Sequence, residues 1–307
     1  MPAARKLRSV NLIKQVLVIL LLAVLPATQA AEKMRKAAPG KPALSLVPME
    51  VINDRAIVRA LEDAGGRLFN DDGAVKLSTL ISQLDRSSCA ARLAAPSTTK
   101  LTPAEIVARE QAAVLVVAVP FKCDKCPRYH FSGGTGFMVS EDGVFATAYH
   151  VVDQPKNLAM LIMTGDGRIA RVTEVLAANR RSDVALLRAE GSGFTAAPLS
   201  TNAPVGSPIW ILSHPDDHFY TLSEGIVSRY YVQNFNRSKV KVDMLAVTAD
   251  FAKGSSGGPV FNEFGAVVGM VSSTVSSYYT ETRHGPEDLQ MVFKNCVTAR
   301  HILELIR

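Results

Sequence analysis

From Val114 onward the chain breaks into short runs of Val, Ile, Leu, Phe and Thr, a rhythm that few folds accommodate. The runs are Val114–Val119, Gly136–Val139, Val144–Ala148, Leu158–Met163, Val172–Leu176, Ala185–Arg188, Ile209–Ser213, Gly225–Val232, Lys239–Ala249, Pro259–Phe261 and Ala266–Ser272. Asp142–Gly143, Asp166–Gly167 and Phe264–Gly265 stand where hairpin turns belong. Many short strands at a spacing of roughly 8–12 residues predict an all-β sandwich or barrel, not alternating α/β units. The tail Thr298–Arg307 reads as a helix, with Ile302, Leu303 and Ile306 on one face behind Thr298 as cap.

What precedes this region is different in kind. Residues 1–30 carry Arg5, Lys6, Arg8 and Lys14 and no acid. The apolar run Val16–Leu25 follows, then Pro26 and the small-residue stretch Ala27–Ala30. That order predicts a secretory signal cut after Ala30, and a periplasmic or secreted mature chain. The apolar run is short for a membrane span, which needs about 20 residues, so no stable span is expected once the signal is removed. The signal holds four of the six net positive charges, leaving +2 on the rest. So mild a balance predicts no nucleic-acid partner.

Ala31–Pro48 is rich in Lys, Pro and Ala and reads as a solvated linker. Val51–Leu93 has helical spacing at Ile57, Val58, Leu61, Leu77, Leu80, Ile81 and Leu84. Gly65–Gly66 and Asn70–Gly73 are predicted to interrupt it. Thr102–Glu105 reads as a helix start, with Thr102 as cap and Pro103 in the first turn. The expected organisation is a signal at 1–30, a linker and helical segment at 31–105, and the main domain at 106–307.

Three segments carry chemistry, in the order His, Asp, Ser: Phe145–Val152 with His150, Ser182–Leu187 with Asp183, and Lys253–Val260 with Ser256. A serine hydroxyl is a weak nucleophile until a base takes its proton. Histidine supplies the base, and a carboxylate orients its ring. Gly254 allows a turn that aims its own N–H and that of Ser256 at one developing negative charge. Gly257 and Gly258 leave room for a substrate backbone, and the spacing favours Ser256 over Ser255 as nucleophile.

Thr147–Val151, Ser182–Leu186 and Gly254–Pro259 resemble the triad motifs of trypsin-like serine proteases, nearest to the bacterial HtrA/DegP-like branch. Gly133–Val139, Leu212–Pro215 and Ser223–Ser228 resemble other strands of that branch, so the likeness covers about Ile106–Arg307. It implies a chymotrypsin-like fold of two six-stranded β-barrels with a C-terminal helix, and an exported serine endopeptidase acting on polypeptides. His150, Asp183 and Ser256 would be catalytic and Gly254 and Ser256 the oxyanion hole, with no metal or organic cofactor required. Three departures stand out. Tyr149 replaces a smaller residue, no cysteine follows His150, and the chain has no room for a PDZ domain after its C-terminal helix. Tyr149 and the missing PDZ domain keep open a second reading, a catalytically silent relative that binds peptides in the same cleft.

The resemblance puts Asp250 at the offset of the acid beneath the P1 pocket, which would select Arg or Lys. The alternatives are a structural acid there and a small or medium apolar P1. Val271, Ser272 and Ser273 are expected to pair with the substrate backbone, beside a polar loop at Ser276–Asp288. The cysteines of an exported chain can pair. Cys123–Asp124–Lys125–Cys126 reads as a local disulfide, as a zinc site completed by His130 and another cysteine, or as a redox pair. In the first case Cys89 and Cys296 can link the helical segment to the main domain.

Overall fold

A sheet made of many short strands leaves two unpaired edges unless it closes, and here both sheets close on themselves. In the computed structural model, residues 51–69, 74–154, 159–234, 241–283 and 285–307 are described. The first barrel contains β1 (Val114–Lys122), β2 (Tyr129–Met138), β3 (Val144–Ala148), β4 (Leu161–Thr164), β5 (Ile169–Asn179) and β6 (Val184–Ala189), joined in the order β1-β2-β3-β6-β5-β4. The second contains β7 (Pro208–Ser213), β8 (Thr221–Asn234), β9 (Lys241–Val247), β10 (Pro259–Asn262), β11 (Val267–Thr282) and β12 (Gly285–Thr298), joined as β10-β11-β12-β9-β8-β7. The expected pair of six-stranded barrels is therefore present, built from antiparallel ladders.

The glycines of the three expected turns adopt the left-handed backbone those turns need: φ is +91° at Gly143, +86° at Gly167 and +71° at Gly265. One strand escaped the periodicity. The expected polar loop Ser276–Asp288 is instead the distal part of the long β11–β12 hairpin, with irregularities at Val271/Ser273 and Ser277/Tyr278. β12 has no continuous apolar run because it projects beyond the barrel. Its Leu289, Met291 and Phe293 are exposed, as are Val275 and Tyr279 of the facing strand.

The helical segment is docked on the first barrel. Helix α1 (Asp54–Phe69) runs straight through Gly65–Gly66, contrary to the expected break. The glycines serve close packing: a Cβ on Gly65 would lie 2.8 Å from Pro120 Cβ, and one on Gly66 would lie 3.2 Å from the Tyr129 ring. Asn70–Gly73, the other expected break, lies outside the described residues. Helix α2 is short (Leu77–Ser82). Leu61, Leu68, Leu77, Leu80 and Leu84 are buried in one cluster with β1, β3 and β6 residues. Burying each contributes about 2 kcal/mol, so the segment is part of the core. Helix α3 (Pro103–Glu110) has the expected Thr102 cap, closed reciprocally by Glu105.

After the single helical turn α4 (Tyr149–Val152), the C-terminal helix α5 (Ala299–Leu303) buries Ile302 as expected and His301 as well. Thr298 precedes it without a side-chain cap. Cys89 and Ile306 form a parallel bridge, with Cys89 N–H donating to the Leu305 carbonyl at 2.8 Å and Arg307 N–H to the Cys89 carbonyl at 2.8 Å.

Glu110 ends α3 under the Gly265 turn, and burial pushes its carboxyl up to about 7. The folded chain therefore holds this proton more tightly than the unfolded chain, and this group's contribution to stability falls as pH rises from about 4.5 through 7. Glu110→Gln should remove that slope and stabilise the protein at pH 8 by on the order of 1–3 kcal/mol. Urea unfolding at pH 5 and pH 8 checks it; a parent-like difference between the two conditions would refute the assignment.

Candidate active site

The ladder register brings the first two expected residues together. β3 pairs with β6 so that Ala148 faces Val184. The residues just beyond that pair are then neighbours across the barrel end, and Tyr149 N–H donates to the Asp183 carbonyl at 3.0 Å. The chain leaves β3 into a single helical turn, α4 (Tyr149–Val152), which carries His150. Asp183 sits at φ +56°, a left-handed conformation tolerated by Asp, in a turn where Asn179 Oδ1 accepts the N–H groups of Arg181 and Ser182.

Three donors converge on the Asp183 carboxylate. His150 Nδ1 lies 2.9 Å from each oxygen, the His150 backbone N–H donates to Oδ1 at 3.1 Å, and Ser272 Oγ donates to Oδ2 at 2.8 Å. A carboxylate only accepts, so Nδ1 carries the hydrogen and Nε2 of the neutral ring is left with a lone pair. The hydrogen bond to Asp183 raises the His150 pKa above the ordinary imidazole value, against the opposing effect of burial.

Ser256 lies in the loop before β10. Gly254 has φ +93° and Gly257 φ +87°; a Cβ on either would fall 2.4 Å from the His214 carbonyl oxygen or 2.1 Å from that of Thr135. Ser255 is buried, its Oγ held by Ser213 Oγ at 3.0 Å, which leaves Ser256 as the serine facing the cleft. Thr135 of the first barrel clamps the loop: its N–H donates to the Ser256 carbonyl and its Oγ1 to the Gly254 carbonyl, both at 2.8 Å. Neither the Gly254 nor the Ser256 N–H donates to a backbone carbonyl among the described residues. Both are available to an oxyanion.

His150, Gly254 and Ser256 line one cleft of about 490 Å³, with Val119, Phe121 and Phe131 on its apolar side. No hydrogen bond joins Ser256 Oγ to His150 Nε2. Tyr149 does not fill this cleft; its ring is partly buried against the core and borders a second one with Asp183, Ser272 and Ser273. Val271 is buried and exchanges backbone bonds with Gly257 and Gly258. Sequence reasoning missed Thr135, the Asp183 contact of Ser272, and Asp216 and Asp217, which border the Ser256 cleft. The run Leu212–Pro215 ended one residue short of that acidic pair.

Two expectations are corrected. Asp250 is no buried pocket acid: its side chain is 91% exposed and lies 3.4 Å from Lys294 Nζ. The four cysteines are free thiols. Cys296 is sealed inside the second barrel, where burial raises its pKa, whereas Cys89 is tied to the C-terminal strand end. Cys126 is instead in contact with His130.

Residues 134–270 match the family model for the trypsin-like peptidase domain. A probable periplasmic serine endoprotease, DegP-like, of Halomonas elongata is 31% identical over 45% of this chain and 29% of its own. The mitochondrial serine protease HTRA2 of Bos taurus is 28% identical over 57% of this chain and 39% of its own. The chain thus spans well under half the length of these relatives. The crystal structure of the serine endoprotease from Yersinia pestis shares the fold at 19% identity, with a TM-score of 0.50 over 67% of this chain and 65% of that one.

The Asp183 contact has a measurable signature. In Ser256→Ala, the His150 ring protons followed by NMR should titrate above the ordinary imidazole value of about 6.5. Asp183→Asn should bring the midpoint down. An unshifted midpoint in the parent would show that the pair does not form in solution.

Proposed function

Since this chain carries a trypsin-like serine protease domain of the HtrA branch, we propose that it is an exported serine endopeptidase with His150, Asp183 and Ser256 as its catalytic triad. The observation that carries the reading is the three-donor hold on Asp183, which leaves His150 Nε2 as a base in the cleft that Ser256 lines. Nε2 takes the Ser256 proton as Oγ attacks the scissile carbonyl. The oxyanion is received by the N–H groups of Gly254 and Ser256. The imidazolium, stabilised by Asp183, gives its proton to the leaving amine, and an acyl-enzyme remains. Water, deprotonated by the same nitrogen, then releases the acid. With Asp250 turned to solvent, the P1 side chain is proposed to be small or medium and apolar.

Export rests on the signal-like residues 1–30 and on relatives named as periplasmic; the signal lies outside the described residues. No helix among the described residues is long and apolar enough to cross a membrane. The missing bond between Ser256 and His150 favours a second reading, a peptide-binding pseudoprotease. In substrate-free proteases, however, this contact is commonly long and tightens on binding.

A fluorophosphonate probe separates the two. The purified chain should be labelled, and Ser256→Ala and His150→Ala should not. Peptide hydrolysis should fall by about 10³–10⁶-fold in either variant. A folded parent that takes no label would leave the pseudoprotease.

A further inference from the structure

The first barrel carries a second cluster of reactive side chains, at the β1–β2 turn. Cys123, Cys126 and His130 follow the spacing C-x₂-C-x₃-H, and their Sγ, Sγ and ring-nitrogen atoms all lie within 4.8 Å of one another. Cys126 Sγ is 3.3 Å from His130 Nε2. Zinc bonds of about 2.3 Å to sulfur and about 2.0–2.1 Å to nitrogen put two such donors on a tetrahedral ion about 3.6 Å apart. That pair is thus within a few tenths of an ångström of the tetrahedral separation, and Cys123 Sγ lies within 4.8 Å of both. Cys123 Sγ also accepts the Lys125 N–H at 3.4 Å, two residues on, so the backbone already curls around that sulfur.

The other face of the imidazole is held as well. Glu62 Oε1, from α1, lies 2.7 Å from His130 Nδ1. A carboxylate on Nδ1 fixes the tautomer that leaves Nε2 free to ligate, and such outer partners accompany metal-bound histidines widely. Two thiolates with one imidazole suit Zn²⁺ and other thiolate-preferring ions over Mg²⁺ or Ca²⁺.

We propose that Cys123, Cys126 and His130 bind one zinc-class ion through Sγ, Sγ and Nε2, with Glu62 as the positioning residue behind the histidine and the fourth position open to water. Each thiol gives up its proton to solvent as its S–metal bond forms. The ion fastens the β1–β2 hairpin to α1, because Cys123 and Cys126 come from the turn, His130 from β2 and Glu62 from the helix. The site is also next to the cleft. Phe121 faces His130 across the ladder, ring centroids 6.0 Å apart, and Phe121 and Phe131 both line the cavity of Ser256.

The binding test does not depend on Ser256 chemistry. The Ser256→Ala chain, reduced and stripped of metal, is titrated with Co²⁺ as an optical probe and then with Zn²⁺. One Co²⁺ per chain with a thiolate-to-cobalt charge-transfer band, displaced by Zn²⁺, is expected. Cys126→Ser and His130→Ala should each lose at least about 100-fold in affinity, and Glu62→Gln about 10–100-fold. Circular dichroism of the metal-free variants controls for folding. Uptake without a thiolate band, or a band unchanged in both Cys123→Ser and Cys126→Ser, would overturn the site. So would a Cys123–Cys126 disulfide that, once reduced, takes up no Co²⁺. Unchanged affinity in Glu62→Gln would overturn the part assigned to α1.

Discussion

The geometry of the cleft depends on one clamp between the barrels. Thr135 on β2 holds the carbonyls of Ser256 and Gly254 with its N–H and its hydroxyl, while Thr147 Oγ1 donates to the Thr135 carbonyl at 2.7 Å. Each bond is worth only about 1 kcal/mol net, but leaving such buried groups unpaired costs more. The clamp therefore fixes where the Gly254–Ser256 loop sits. It works only because backbones meet without side chains between them. A Cβ on Gly134 would be 2.8 Å from the Ser256 carbonyl oxygen, and one on Gly257 closer still to that of Thr135. The glycines around Ser256 thus let one barrel hold the loop of the other.

The second constraint is the ladder between β3 and β6. A slip of one residue would exchange the two buried faces of both strands, mismatching their packing, and carry Asp183 away from His150. Ala146, Ala148, Val184 and Leu186 are all buried, so the register is tied to the core. The His150–Asp183 pair therefore stands on packing energy rather than on its own hydrogen bonds.

The strand runs and turn glycines were legible because half-buried strands separated by left-handed turns leave both marks in a sequence. His150, Asp183 and Ser256 were singled out by the residue types around them, and the β3–β6 register brings the first two together. The failures share a physical cause: each depends on what lies across space. Gly65 and Gly66 look like helix breakers until Pro120 and Tyr129 are seen against them. β12 looks polar because its outer half has no barrel to cover it. Asp250 matches an offset along the chain, but its loop turns the carboxylate to solvent. The cysteines suggest pairings by compartment, whereas burial and strand position hold Cys296 and Cys89 in separate surroundings.

The ending of the chain bears on how the protein is made. The wall of the first barrel is complete at Ala189, yet Ile302 and Leu305 are buried in the same cluster as Leu115, Val117 and Phe145. A ribosome delivers residues in order, so this core stays uncovered until more than a hundred further residues have emerged. Local helices and hairpins form early, because their contacts are close in sequence, but the packed state waits for the last turn. The packing of the first barrel is therefore completed only after the strands of the second have been made.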